Sequence, residues 1–308
     1  QKRQALDDLN ASTAYLRTVG DSLVAAFFNG KKPKDREELK QIYLEATLQN
    51  RTAQDLEDSL QEPLERLREG VKGLPPLHWQ LAFPNVFSRH DPGFDAFIGN
   101  PPYMAGFNIW PLLGEGYRDY IRLIHKGAEG KAVDIVAHFI RKCFSLARDS
   151  GSISLIATNT VFQGDTRSAG LGYVSRNGGQ IYSASTRIKW PGVAAVTVGV
   201  VHLAKGFATK FLTLNGKPTK KINSYLLSSE EKDPSLLIGN KGLSYKGHMV
   251  LGMGFVFGEN TGGGEIPIKE KDRIITENPC EQQVIRPFLG GSDLNSNPDQ
   301  RASRFAIC

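Results

Sequence analysis

Four consecutive residues, Asn100-Pro101-Pro102-Tyr103, concentrate the chemistry that this sequence offers. The two prolines fix φ and remove two backbone N–H groups, so carbonyls of the turn can face a ligand from a stiff platform. Asn100 contributes a side-chain amide oxygen that accepts hydrogen bonds. With the Pro101 carbonyl it forms a pair of acceptors suited to an exocyclic –NH2 group. Tyr103 adds an aromatic face for a flat ring, and such a stack contributes about 1–3 kcal/mol per base. Asn-Pro is also an ordinary turn former, and the same residues can make a rigid turn with Tyr103 in the core. Elsewhere the chain is quieter. His78, His90, His125, His138, His202 and His248 show no metal-ligand spacing and read as structural or surface groups, so no metal is expected.

A turn that presents acceptors needs a strand ahead of it. Phe94–Ile98 reads as a short buried strand, ended by Gly99-Asn100-Pro101-Pro102. That places the motif at the carboxyl end of a sheet, where ligands bind in open α/β folds. Residues 132–148 read as a helix, with Val133, Val136, Phe139, Ile140, Cys143 and Phe144 on one face and Asp134 placed to cap it. Gly151 ends that helix and Ser152–Ala157 is the next strand. Gly179–Ser185 is a further strand, and Val193–Leu203 is the strongest strand signal in the chain. Alternating strands and helices imply an α/β sheet with helices on both faces.

Residues 1–75 form a helical segment. Leu16, Val19, Leu23 and Phe27 recur at helical spacing, and Asn29-Gly30-Lys31-Lys32-Pro33 breaks the pattern. Leu39, Ile42, Tyr43 and Ala46 mark a second helix, and Leu56, Leu60, Leu64 and Leu67 a third, kinked or restarted near Pro63. The texture changes at Gly73-Leu74-Pro75-Pro76. Residues 76–205 form an α/β subdomain, and 206–308 a linker and the start of a further, β-rich region. There Gly252-Met253-Gly254-Phe255-Val256-Phe257-Gly258 reads as a turn or bulge. The lysines between Lys205 and Lys232 suit either a solvated linker or a track for a nucleic-acid backbone.

The 308 residues carry a net charge of +6, compatible with a nucleic-acid partner. Hydrophobic residues are 40% and charged residues 23%, as in soluble globular proteins. No apolar run is long enough to span a membrane, and no signal-peptide pattern opens the chain. Cys143, Cys280 and Cys308 are odd in number and widely spaced, which suggests no disulfide framework and a reducing, cytoplasmic setting.

The stretch from Phe94 to Tyr103 resembles the catalytic motif of amino-methyltransferases, particularly the gamma-type N6-adenine DNA enzymes. His78-Trp79, Phe83-Pro84-Asn85-Val86-Phe87 and then the motif are similar to large type IIG restriction-modification and phage-defence methyltransferases. Asp134–Phe139 resembles the family's next helix, whose aromatic residue borders the cofactor's adenine. Gly151–Asn159 resembles the following strand and its Asn-Thr exit, and Lys189–Val196 a later motif whose aromatic residue stacks on the target base. Cys280–Leu289 and the stretch to Asp293 look like the approach to a target-recognition domain. The likeness is strong from 78 to 205 and weak before 76.

The resemblance implies the second half of a Rossmann-like methyltransferase sheet, with S-adenosylmethionine as cofactor and double-stranded DNA as substrate. Asn100, Pro101, Pro102 and Tyr103 would be catalytic, Tyr103 and Trp190 would stack on the target base, and Phe139 and Asn100 would contact the cofactor. The two acceptors would draw the adenine amino lone pair out of ring conjugation, with alignment supplying most of the acceleration. A target inside a duplex must first be extruded. Read alone, Trp190 is as readily a plug at a sheet edge, and Phe139 a core residue. The family's glycine-rich cofactor motif, with its following acidic residue, is absent ahead of Asn100. The missing half is therefore expected in the rest of a longer polypeptide or in a partner chain, with a fragment favoured by the end at Cys308. Two other functions fit the same residues: methylation of a protein glutamine or an RNA base, and a non-catalytic DNA-binding subunit of a defence complex.

Overall fold

A computed structural model describes residues 2–69, 73–130, 132–190, 197–233, 235, 239, 252–260 and 263–308. The chain divides into two compact units, Gln1–Lys232 and Asp233–Cys308.

The first unit opens with helices α1 (Lys2–Asn29), α2 (Pro33–Gln49), α3 (Ala53–Ser59) and α4 (Gln61–Arg68). Pro33 begins α2 at a position whose N–H needs no partner, and the Thr52 hydroxyl caps α3 by accepting from Asp55 N. Pro63 lies in the first turn of α4, so the helix restarts just ahead of it. Leu56, Leu60, Leu64 and Leu67 are all buried, as their spacing implies. The face expected on α1 is corrected: Leu16 and Leu23 are 53% and 40% exposed, whereas Ser22, Ala25 and Ala26 are buried. Small side chains let α2 and α4 approach the α1 backbone closely, and bulky leucines would hold them off.

Two short helical turns, α5 (Trp79–Ala82) and α6 (Pro84–Phe87), lead into strand β1 (Phe94–Gly99). Edge-to-face contacts seat β1: the Phe94 ring meets Trp79, Phe83, Phe87 and Phe97 at centroid separations of 5.8, 5.2, 5.6 and 5.1 Å. Then come α7 (Gly106–Leu113), α8 (Glu115–Ile124), α9 (Ile135–Leu146) and β2 (Ala147–Thr158). Strand β2 starts four residues before Gly151, because Ala147 already pairs with Phe94 across a bulge. After α10 (Gly164–Ala169) and α11 (Leu171–Arg176) the sheet is completed by β3 (Gly179–Lys189), β4 (Thr197–Lys205), β5 (Leu212–Leu214) and β6 (Lys217–Thr219). Residues 193–196 of the expected strand Val193–Leu203 lie outside the described residues.

The architecture is mixed α/β with a helical N-terminus. Strand order is β1-β2-β4-β3-β5-β6. β1 and β2 are parallel, β4 runs antiparallel between β2 and β3, and β5 returns parallel to β3. Side chains of α9 and α11 share one core with β2, β3 and β4, built around Ile140, Ile153, Leu155, Leu171, Ile181 and Leu203. Each such fully buried chain stabilises the fold by about 1.5–3 kcal/mol. Cys143 belongs to this core, and burial raises its thiol to about 12, which makes it a packing group. Strand β1 is the second correction. Only its β2 side is paired among the described residues, and Ile98 is 85% exposed, so it is an open edge strand.

The second unit holds a four-stranded sheet ordered β8-β7-β10-β9. Its elements are β7 (Val256–Gly258), β8 (Ile266–Pro267), α12 (Ile268–Glu277), β9 (Ile285–Phe288), α13 (Gly291–Ser296) and β10 (Arg304–Ile307). Among the described residues, Val256, Phe257, Ile285 and Ala306 are its buried apolar side chains. The buried Asp293 carboxylate ties α13 to the approach to β10, accepting from Gly290 N at 2.7 Å and Ser303 Oγ at 2.6 Å. Among the described residues no helix is long and apolar enough to cross a membrane.

Candidate active site

Strands β1, β2 and β3 run in one direction, so their carboxyl ends share one edge of the sheet. Asn100 leaves β1 there, Thr158-Asn159 leaves β2, and Trp190 follows β3. The loops on this edge are where an open α/β sheet places its ligands. Three strand spacings separate β1 from β3 in the sheet order, roughly 14 Å at the usual separation. Tyr103 bridges part of that span: its hydroxyl donates to the Ile156 carbonyl of β2, and its ring packs against the main core. A bulge between Ser185 and Ile188, with Arg187 at φ 57°, redirects the end of β3 before Trp190. Trp190 is half-buried.

Within the motif, exposure alternates. Pro101 is buried, whereas Asn100 is exposed and its amide has no hydrogen-bond partner among the described residues. A polar group left without a partner on a stiff turn is free to receive one. Tyr103 is different, since burial and then the Asp134 carboxylate push its phenol up to about 12. The phenol is therefore a neutral donor at every physiological pH.

The turn is held from behind. Asp134, at the N-terminus of α9, accepts at Oδ1 from Met104 N and from Val136 N, both at 3.0 Å. Ile135 N donates back to the Met104 carbonyl at 3.0 Å. Asp134 N donates to the Thr166 hydroxyl at 3.0 Å, which ties in α10. The cap on α9 was legible in the sequence; its second bond, to a backbone N–H thirty residues upstream, had no local signal.

Pro102 and Phe139 line a cavity of about 520 Å³, together with Trp79, Tyr117, His125 and His138. Phe139, expected on the core face of α9, is instead 37% exposed. The two histidines pair Nδ1 to Nδ1 at 3.0 Å, so one ring presents the N–H and the other the lone pair. Burial leads in lowering both to about 4, with Arg141 and Lys142 adding to it at His125, and His125 and Arg141 at His138. Both rings are neutral at pH 7, so the part of the wall that they form is aromatic and uncharged, while Lys142 also lines the cavity. His125, just past α8, and His138 of α9 read as structural or surface groups in the sequence, and their pairing had no local signal because the two lie thirteen residues apart on different elements. His248 lies outside the described residues. Among the described residues no three His, Cys, Asp or Glu side chains converge as a metal site.

Residues 12–171 match the family described as Eco57I restriction-modification methylase. Among solved structures, the chain is similar to the Type IIL restriction-modification enzyme MmeI, determined in complex with DNA, at 20% identity and a TM-score of 0.48. That match covers 69% of this chain and spans 29% of the MmeI chain. No curated protein matches.

Proposed function

Because the chain belongs to the Eco57I restriction-modification methylase family, we propose that it is the catalytic portion of an enzyme that methylates adenine N6 in double-stranded DNA. One observation carries this reading: an exposed, unpartnered Asn100 amide on a proline-stiffened turn at the carboxyl end of β1. Asn100 Oδ1 and the Pro101 carbonyl accept from the two N–H bonds of the adenine amino group. Those bonds hold the nitrogen lone pair out of ring conjugation and aim it. Tyr103 and Trp190 grip an extruded base by its flat faces, which offsets part of the few kcal/mol that unstacking costs. Neither acceptor titrates near neutrality, so the surplus amino proton leaves to water.

S-adenosylmethionine fits the residues present. The cavity bordered by Pro102 and Phe139 falls within the roughly 300–1,000 Å³ usual for small-ligand sites. Its aromatic side chains suit a purine ring, so Phe139 would border the cofactor's adenine, and Asn100, on the turn that carries Pro102, would contact the cofactor. When bound, this cofactor supplies an electrophilic methyl group. The remaining cofactor contacts come from the rest of the same polypeptide or from a partner chain. The open edge of β1 supports that reading, because a sheet edge with its backbone groups unpaired accepts another strand.

The test is product identity. The full-length protein, incubated with plasmid DNA and methyl-labelled S-adenosylmethionine, should place the label in N6-methyladenine after nucleoside digestion. Label confined to another nucleoside, to ribosomal RNA or to protein glutamine would refute the assignment.

A further inference from the structure

We propose that Asp134 is a positioning residue for the reaction, setting the register of the Asn100–Tyr103 turn from the start of α9. This inference rests on the function proposed above. The reason begins with the prolines. Pro101 and Pro102 carry no N–H, so the turn cannot brace itself with backbone donors at those two positions. The ladder to β2 fixes its near end only as far as Gly99, opposite Leu155. The far end must be fixed from elsewhere, and Met104 N is bound at 3.0 Å by Asp134 Oδ1.

That carboxylate oxygen is shared. It also caps α9 through Val136 N at 3.0 Å, so the helix and the turn are referenced to one atom. A second bond, Ile135 N to the Met104 carbonyl at 3.0 Å, closes the link in the opposite sense. Thr166 Oγ1 fixes the Asp134 backbone from α10, and the side chain is only 8% exposed. Tyr103 is clamped independently through Ile156. Tyr103 and Met104 are thus tied down, while the Asn100 amide keeps its hydrogen-bonding capacity for a ligand. Phe139 lies four residues past Ile135 on the same helix, so Asp134 also fixes the distance between the acceptor turn and the cofactor-side wall. In-line transfer is sensitive to such spacing: a misplacement of about 1 Å can cost a hundredfold in rate.

The geometry asks of Asp134 an acceptor oxygen, with no need for charge. In the full-length protein, Asp134→Asn should therefore hold the single-turnover methylation rate within roughly threefold of wild type, because an amide oxygen still accepts. Asp134→Ala should lower that rate by about a hundredfold while KM for DNA stays near its original value. Hydrogen exchange gives a readout independent of catalysis: the Met104 amide should lose protection in Asp134→Ala and regain it in Asp134→Asn. Equal rates for wild type and Asp134→Ala would overturn the proposal, and so would unchanged Met104 protection. If Asp134→Ala unfolds, the Asn variant still decides, since a loss of about a hundredfold in folded Asp134→Asn would show that charge, and not the acceptor oxygen, matters and would overturn the proposal. Should the product prove not to be N6-methyladenine, the exchange result still stands or falls by itself.

Discussion

Asn100 and Tyr103 stand three residues apart yet differ in what holds them. The amide is exposed and unpartnered, while the phenol is half-buried and bonded to a strand carbonyl. Tyr103→Phe keeps the ring and loses one hydrogen bond, so stability should fall by about 0.5–1.5 kcal/mol with methylation nearly unchanged. Tyr103→Ala removes the stacking face as well, and a stack of about 1–3 kcal/mol corresponds to roughly a five- to 150-fold loss in transfer. Denaturant titration and initial rates of both variants separate the two effects. The phenol also fixes an alkaline limit. Its folded value near 12 lies above the ordinary 10, so the stability it contributes is complete below pH 10 and is lost as pH rises from 10 toward 12.

The end of α8 is coupled to α9 by the pairing of half-buried His125 with buried His138. Burial lowers both rings to about 4 from 6.5. Their contribution is therefore present above pH 6.5 and lost as pH falls from 6.5 toward 4, where the unfolded chain takes up protons first. Melting temperature should drop across that window, and His138→Gln should flatten the drop; an identical fall in the variant would remove the pair from the account. Element boundaries of this kind were readable wherever apolar spacing dominates. Leu56 through Leu67 gave the third helical stretch, and the Pro33 and Pro63 breaks fell where ring sterics require. The α1 face was misread because close helix packing favours Ala25 and Ala26 over the bulkier Leu16 and Leu23, a tertiary effect invisible to periodicity. Strand β1 was misjudged for a similar reason. An apolar run reports that a surface wants covering, and does not say which element covers it.

At the level of the whole chain, the sheet brings the ends of β1, β2 and β3 to one edge, although 90 residues of sequence separate Asn100 from Trp190. The motif order carried that arrangement in the sequence. The Asp134–Met104 bond and the His125–His138 pair were not legible, since each joins residues from different elements with no local pattern. The open β1 edge and the absence of a glycine-rich motif ahead of Asn100 predict that these 308 residues bind S-adenosylmethionine weakly by themselves. Calorimetry with the isolated chain checks this, and tight one-to-one binding would contradict it.

The most direct measurement is the single-turnover rate of methyl transfer to duplex DNA by the full-length protein carrying Asn100→Ala. Losing one of two acceptors at the reacting nitrogen should slow the step by about 10²–10³, comparable to removing a single oxyanion-hole donor elsewhere. DNA affinity and melting temperature should stay near wild type, because the exposed amide holds nothing else in place. A variant that transfers methyl groups at the wild-type rate would show that the reaction does not run through this turn.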